Sequence, residues 1–233
     1  MYMFSMLSYF NKNRGFSLAE VLITLGIIGV ISAMTIPGLL HRYQATKYRS
    51  QLMKTYSTLQ QVIKKMDAEG DSLDPTTYKS RDGELFYQTF QKYLSSSIDC
   101  GNAYTNFGKG LPCHNFSDGS MAYKNYIGNK ISSAYFDAGQ LALPDGTLLL
   151  FENVDGVFIS VDINGAGRLP NRWGYDLFTF QLLDSELLPM GATKTKYNDV
   201  EKYCSRTSSQ RFNGIACAEK AIKDSNYFKE IVN

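Results

Sequence analysis

Histidine, cysteine and charge are scarce in this chain, and each shortage closes off a class of function. Only two residues of 233 are histidine, four are cysteine and one is tryptophan, while 20% are charged. His41 and His114 lie far from any G-x-S-x-G or nucleophilic cysteine motif, apart from the adjacent Cys113-His114, so no nucleophile can be matched with a base. No C-x-x-C occurs, which removes the usual zinc-ligand spacing. A P-loop and a dinucleotide-binding glycine fingerprint are also missing, and the chain reads as a non-enzyme. Lysine and arginine number 24 against 22 acids, a net charge of +2 without a polybasic run, so nucleic-acid binding is not expected.

Apolar and aromatic residues, by contrast, are plentiful. Hydrophobic residues make up 44% of the chain and aromatics 13%, enough for a buried core and too much for a disordered polymer. The mean hydropathy of −0.23 resembles that of a soluble protein. That average conceals residues 21–40, VLITLGIIGVISAMTIPGLL, which run without one charge. At about 1.5 Å per helical residue the run spans roughly the 30 Å of a bilayer core. A cleaved secretory signal has a shorter apolar region and a small-x-small site after it, and neither is found here.

Immediately before this run stands Lys12-Asn13-Arg14-Gly15-Phe16-Ser17-Leu18-Ala19-Glu20. A short basic segment, a glycine before a phenylalanine, and one carboxylate four residues beyond it resemble the signal of type IV pilins and type II secretion pseudopilins. Pro37 inside the apolar run matches the family's helix-loosening proline. The resemblance implies a leader over residues 1–15, cut by a prepilin peptidase between Gly15 and Phe16, and N-methylation of the new Phe16 terminus. It also implies that Glu20 pairs with the free α-amine of a neighbouring subunit. A carboxylate in lipid is costly without a partner, which supports that reading. Gly26, Gly29 and Ala33 suit close lateral packing of helices, and Pro37 with Gly38 is expected to kink or locally melt the helix. Counting flanking cations gives Lys12 and Arg14 before the span against Arg42, Lys47 and Arg49 after it, which points weakly the wrong way. The cleavage motif and the cysteines override it and put the C-terminal domain outside the cytoplasm.

Beyond the transmembrane and assembly segment 16–40, an amphipathic continuation is expected over 41–69. Tyr48, Leu52, Tyr56, Leu59, Ile63 and Met66 form one stripe, with Lys47, Arg49, Lys54, Gln60 and Lys64 on the other face. Gly70 and Asp71 end this helix of roughly fifty residues, and Pro75 keeps it from resuming. Residues 70–140 read as a connecting loop region with one short helix capped by Asp82, presenting Leu85, Phe86, Phe90, Tyr93 and Leu94. Strands are expected at 141–143, 147–151, 157–161 and 175–183, within an antiparallel sheet over 141–190, followed by a disulfide-containing region over 191–233. The fold class is α+β: a long N-terminal helix packed on an antiparallel sheet, as the pilin resemblance also implies.

Cys100, Cys113, Cys204 and Cys217 allow three pairings. The two local ones close short loops and are the economical choice, each contributing roughly 3 kcal/mol in the chain-entropy picture. Disulfides imply an oxidising compartment. Asp162 and Asn164, spaced by two and followed by Gly165, resemble the opening of a calcium loop. The position of its bidentate glutamate holds Trp173, so Asp176 and backbone carbonyls would complete the shell around Ca2+. Some pseudopilins bind calcium in a C-terminal loop of this kind. The alternative is a β-connection in which Asp162 and Asp176 accept backbone amides.

These features suggest a structural subunit of a pseudopilus or type IV pilus, anchored in the cytoplasmic membrane by one span. Its implied partners are prepilin peptidase, other pilin or pseudopilin subunits, an inner-membrane assembly platform and the lipid bilayer. A pseudopilus would support protein secretion across the envelope. The alternatives are a minor pilin acting in adhesion or DNA uptake, and an anchored extracytoplasmic module that captures a ligand without polymerising. Removal of the leader takes away Lys12 and Arg14 and no acid, leaving 24 − 2 = 22 basic against 22 acidic side chains.

Overall fold

The computed structural model describes residues 15–78, 85–102, 110–116, 119, 122–153 and 156–232. The leader through Arg14 and the Asp82 cap lie outside the described residues. Two compact units divide the chain, Met1–Arg42 and Tyr43–Asn233.

The first element, α1, is a single helix over Leu18–Glu69, 52 residues long. It runs unbroken through Pro37, so the expected local melting is not found here. One missing N–H removes one hydrogen bond, and the turns on either side keep theirs. Its far end is closed by Gly70, whose φ of +83° turns the chain into the left-handed region. The Gly70 amide donates to the Asp67 carbonyl at 3.1 Å and the Asp71 amide to the Met66 carbonyl at 2.9 Å, the two bonds of a Schellman cap.

In the second unit the helix buries Ala45, Tyr48, Leu52, Thr55, Leu59, Val62, Ile63 and Met66, with Tyr56 packed at the margin. This is the anticipated stripe, slightly widened. The face expected to be solvated is in part an anchoring face. Arg49 Nη1 donates to the carbonyls of Ala221 and Asp224 at 3.2 and 3.0 Å, and Nη2 reaches that of Ile222 at 3.4 Å. Gln60 donates to the Leu187 carbonyl at 2.6 Å, and Lys54 pairs with Asp145 at 2.7 Å.

The stripe packs on a six-stranded antiparallel sheet in the order β1-β2-β3-β4-β5-β6. The strands are β1 (Ile98–Gly101), β2 (Gly139–Ala142), β3 (Leu148–Glu152), β4 (Val157–Asp162), β5 (Leu177–Leu183) and β6 (Glu186–Pro189). β1 lies in the stretch read as loop, and β6 follows β5 through Asp184 and Ser185. Those two residues have φ of 51° and 61°, as a two-residue type I′ hairpin requires. The short helix α2 (Phe86–Gln91) sets Phe86 and Phe90 against Phe151.

Residues of β2, β3 and β4 are all buried, because both faces of the sheet are covered. Leu141, Leu149, Phe151, Ile159, Val161, Phe178 and Phe180 face the α1 core, joined there by Ala218 and Ala221 of α4 (Cys217–Lys223) and Tyr227 and Phe228 of α5 (Tyr227–Val232). Ala142, Leu148, Leu150, Phe158 and Leu177 face a second core, with Tyr123, Phe136 and Trp173 fully or almost fully buried in it. Trp173 Nε1 donates to Thr179 Oγ1 at 3.0 Å and fixes the ring against β5.

Candidate functional site

The first unit presents an exposed N-terminal junction. Gly15 has no atom within 4 Å of where a Cβ would stand, and Phe16 is 86% exposed. Leu18 opens the helix, and the residue before it caps it. The Ser17 amide and hydroxyl both donate to Glu20 Oε2 at 2.8 Å, while the Glu20 amide donates to Ser17 Oγ at 3.2 Å. This is a reciprocal capping box, and the S-x-x-E spacing before an apolar run was its signal in the sequence. Downstream, apolar side chains such as Leu22, Ile28 and Leu39 stand exposed at 62%, 59% and 68%. Gly26 and Gly29 both face open space, so the backbone can be approached closely there. A helix with an apolar surface of this length and one capped acid at its start suits lipid and other helices of its kind.

Residues 10–36 match the family model for the prokaryotic N-terminal methylation motif. The chain carries the type IV pilin and pseudopilin signal. No curated protein and no solved structure matches the chain. The prepilin-type signal and the apolar helix fit a protein anchored in the inner membrane.

The second unit brings Asp162, Asn164 and Asp176 together at the β4–β5 connection. Asp162 and Asp176 are fully buried and Asn164 nearly so. Asp162 Oδ1 accepts the Asn164 and Gly165 amides at 3.2 and 2.8 Å, and Oδ2 accepts the Tyr123 hydroxyl at 2.8 Å. Asp176 Oδ1 accepts the Arg172 amide at 2.6 Å and Oδ2 the Asn171 amide at 2.9 Å. Asn164 Nδ2 donates to Tyr48 Oη at 3.3 Å, which ties the loop to α1. Burial raises the Asp162 carboxyl well above its ordinary range, and the charge of Asp176 adds to this. Burial also raises Asp176, to about 6, against the lowering effect of the Arg172 and Asn171 amides. Burial, then the charge of Asp162, pushes the Tyr123 hydroxyl well up.

These residues do not fit a calcium ion as they stand. Every carboxylate oxygen already accepts a protein donor, and Asp162 Oδ1 accepts two, which leaves at most one lone pair on each of the other three oxygens. Two carboxylates and the Asn164 Oδ1, which is buried without a hydrogen-bond partner among the described residues, fall short of the six to eight oxygens of a calcium shell. Among the described residues there is no group of three or more His, Cys, Asp or Glu side chains able to hold a metal. The arrangement is the alternative one, with the acids closing the loop on its own amides.

Both cysteine pairs are local: Cys100 bonds Cys113 and Cys204 bonds Cys217. Sequence reasoning missed Tyr123, because the 70–140 region offered no period from which to place it beside Asp162. It also missed Arg49 as an anchor, since a lone arginine on the polar side of a helix carries no sign of a carbonyl partner far along the chain.

Proposed function

We propose that this protein is a structural subunit of a type II secretion-like pseudopilus or type IV pilus and not an enzyme. The carrying observation is the junction of an exposed Gly15-Phe16 with a capped helix whose apolar side chains stand open over residues 21–40. Prepilin peptidase cuts between Gly15 and Phe16 and methylates Phe16. The chain stays in the cytoplasmic membrane as a single span, with the second unit outside the cytoplasm, where both disulfides persist. An inner-membrane assembly platform then extracts it into a filament through α1. Glu20 accepts the Phe16 α-amine of a neighbouring subunit, and Pro37 supplies the weak hydrogen-bond step at which the helix loosens on packing. In the pseudopilus branch the filament moves folded proteins through the envelope.

Mass spectrometry of the protein purified from membranes tests the processing: the expected terminus is N-methylated Phe16. Glu20→Ala is expected to insert normally and to lose filament incorporation. An intact Met1 terminus, or assembly indifferent to Glu20, favours instead an anchored binding module that never polymerises. Retention of a normally secreted protein in cells lacking this chain selects the secretion branch, and normal secretion with lost surface filaments selects the pilus branch.

A further inference from the structure

The chain is close to neutral, yet its charges are segregated. Residues 193–212 hold five basic side chains against two acidic ones. One of the two acids, Asp199, is engaged as the cap of the short helix α3 (Val200–Tyr203), accepting the Lys202 amide at 3.0 Å. The cations stand on a connected aromatic group that covers the second core. Tyr135 and Tyr197 each meet Phe212, with ring centroids 5.0 and 5.1 Å away, and Tyr197 meets Tyr203 at 5.1 Å. Arg211 lies 5.5 Å over Tyr135 and 5.6 Å over Phe212, Lys196 5.7 Å over Tyr197, and Lys202 5.0 Å over Tyr203. All four rings are half-buried, while the three cations are exposed.

We propose that this face binds an acidic polysaccharide, with Arg211, Lys196 and Lys202 meeting its anionic groups. Cation–π contact holds each charge at a fixed place on a flat support, which lowers the entropy lost when an anion is bound. Cations already seated over the rings leave no open platform for base stacking, which counts against a single-stranded nucleic acid. Along the chain between Lys202 and Arg211 stand exposed Thr207, Ser209 and Gln210, hydroxyl and amide groups of the kind that match sugar hydroxyls. The disulfides place the face in an oxidising compartment, where such polymers are met. The site does not depend on cleavage or filament assembly.

The test uses the full chain in a non-ionic detergent, titrated with polygalacturonate, neutral dextran, a short oligothymidylate and a short DNA duplex at low and high salt. Binding to polygalacturonate that weakens with salt is expected. The combined Lys196→Glu, Lys202→Glu, Arg211→Glu variant is expected to bind about tenfold or more weakly. Lys64→Glu with Lys65→Glu on the exposed side of α1 is expected to bind as the unchanged protein does. If the triple glutamate variant fails to fold, the corresponding glutamine variants carry the test, with a graded loss expected. Absence of polygalacturonate binding overturns the proposal. So does equal binding to dextran, tighter binding of either nucleic acid, or equal loss in the α1 variant.

Discussion

Ser17 and Glu20 close on each other at the start of α1: two donors from Ser17 meet one carboxylate oxygen, and the Glu20 amide returns to the Ser17 hydroxyl. The acid that the proposed filament contact requires is therefore already oriented and hydrogen-bonded within its own chain. A neighbouring amine meets a carboxylate with one oxygen, Oε1, left for it. Ser17→Ala is expected to lower filament incorporation without abolishing it, and Ser17→Thr, which keeps the hydroxyl, to restore it. Site-directed cross-linking between α1 helices in membranes measures this. Equal cross-linking in all three proteins would remove the cap from the assembly step.

Arg49 gives a prediction for the second unit. Its guanidinium collects three carbonyls at and beyond the end of α4, where helix carbonyls lack intrahelical partners. Arg49→Ala is expected to cost about 1–3 kcal/mol. Arg49→Lys should recover only part of this, because an ammonium cannot span the same fork. Urea denaturation gives the loss, and hydrogen exchange should show it concentrated in α4. A uniform increase in exchange over the whole unit would contradict this placement.

The long helix and the four middle strands were legible because their signals are periodic or continuous: the spaced stripe from Tyr48 to Met66, and the runs at 148–151 and 157–161 between turn residues. Those same unalternating runs are what a sheet buried on both faces requires, yet only the cover by the long helix was read from them. What would form the second cover was not legible. Tyr123, Phe136, Trp173 and Phe212 come from loops with no period of their own, and contacts across long sequence separations bring them together. Asp162 and Asn164 were picked out because oxygens at alternate positions before Gly165 resemble the opening of a calcium loop, and Asp176 because it could complete the shell. Whether such acids bind an ion or amides depends on where the loop amides point, which spacing alone does not specify.

The acid pair makes stability depend on pH. Asp162 and Asp176 are both raised by burial, Asp176 to about 6, whereas aspartate in an unfolded chain titrates near 4, roughly. Through that interval the folded protein holds more protons than the unfolded one, so the pair's contribution is fully present at the acid end and is lost as pH rises. Asp162→Asn keeps an oxygen for the Asn164 and Gly165 amides and removes one buried charge. It is expected to raise Tm at neutral pH and flatten the decline of Tm between about pH 4 and 6. Thermal melts across that range, with calcium and with chelator, are the measurement. Calcium is expected to leave Tm unchanged, and a calcium-dependent rise would return the loop to metal binding.

The two disulfides allow a comparison in which loop length drops out. Both bridges have a sequence separation of 13. Chain entropy then assigns each about 3 kcal/mol, and any difference between the two double serine variants reports the native packing each bridge protects. Cys204–Cys217 encloses Asn213, which is fully buried. Asn213 accepts the Ser205 amide at 3.0 Å and donates to the carbonyls of Ser205 and Ser208, both at 2.7 Å. Its own carbonyl accepts the Tyr126 amide at 2.7 Å. Cys204→Ser with Cys217→Ser is therefore expected to lower the urea midpoint more than Cys100→Ser with Cys113→Ser, whose bridge joins the edge strand β1 to residues 110–116 at the second core. Asn213→Ala should reproduce the difference between the two with both bridges intact. Equal midpoints for the two double variants, or a neutral Asn213→Ala, would show that the bridges act through loop closure alone.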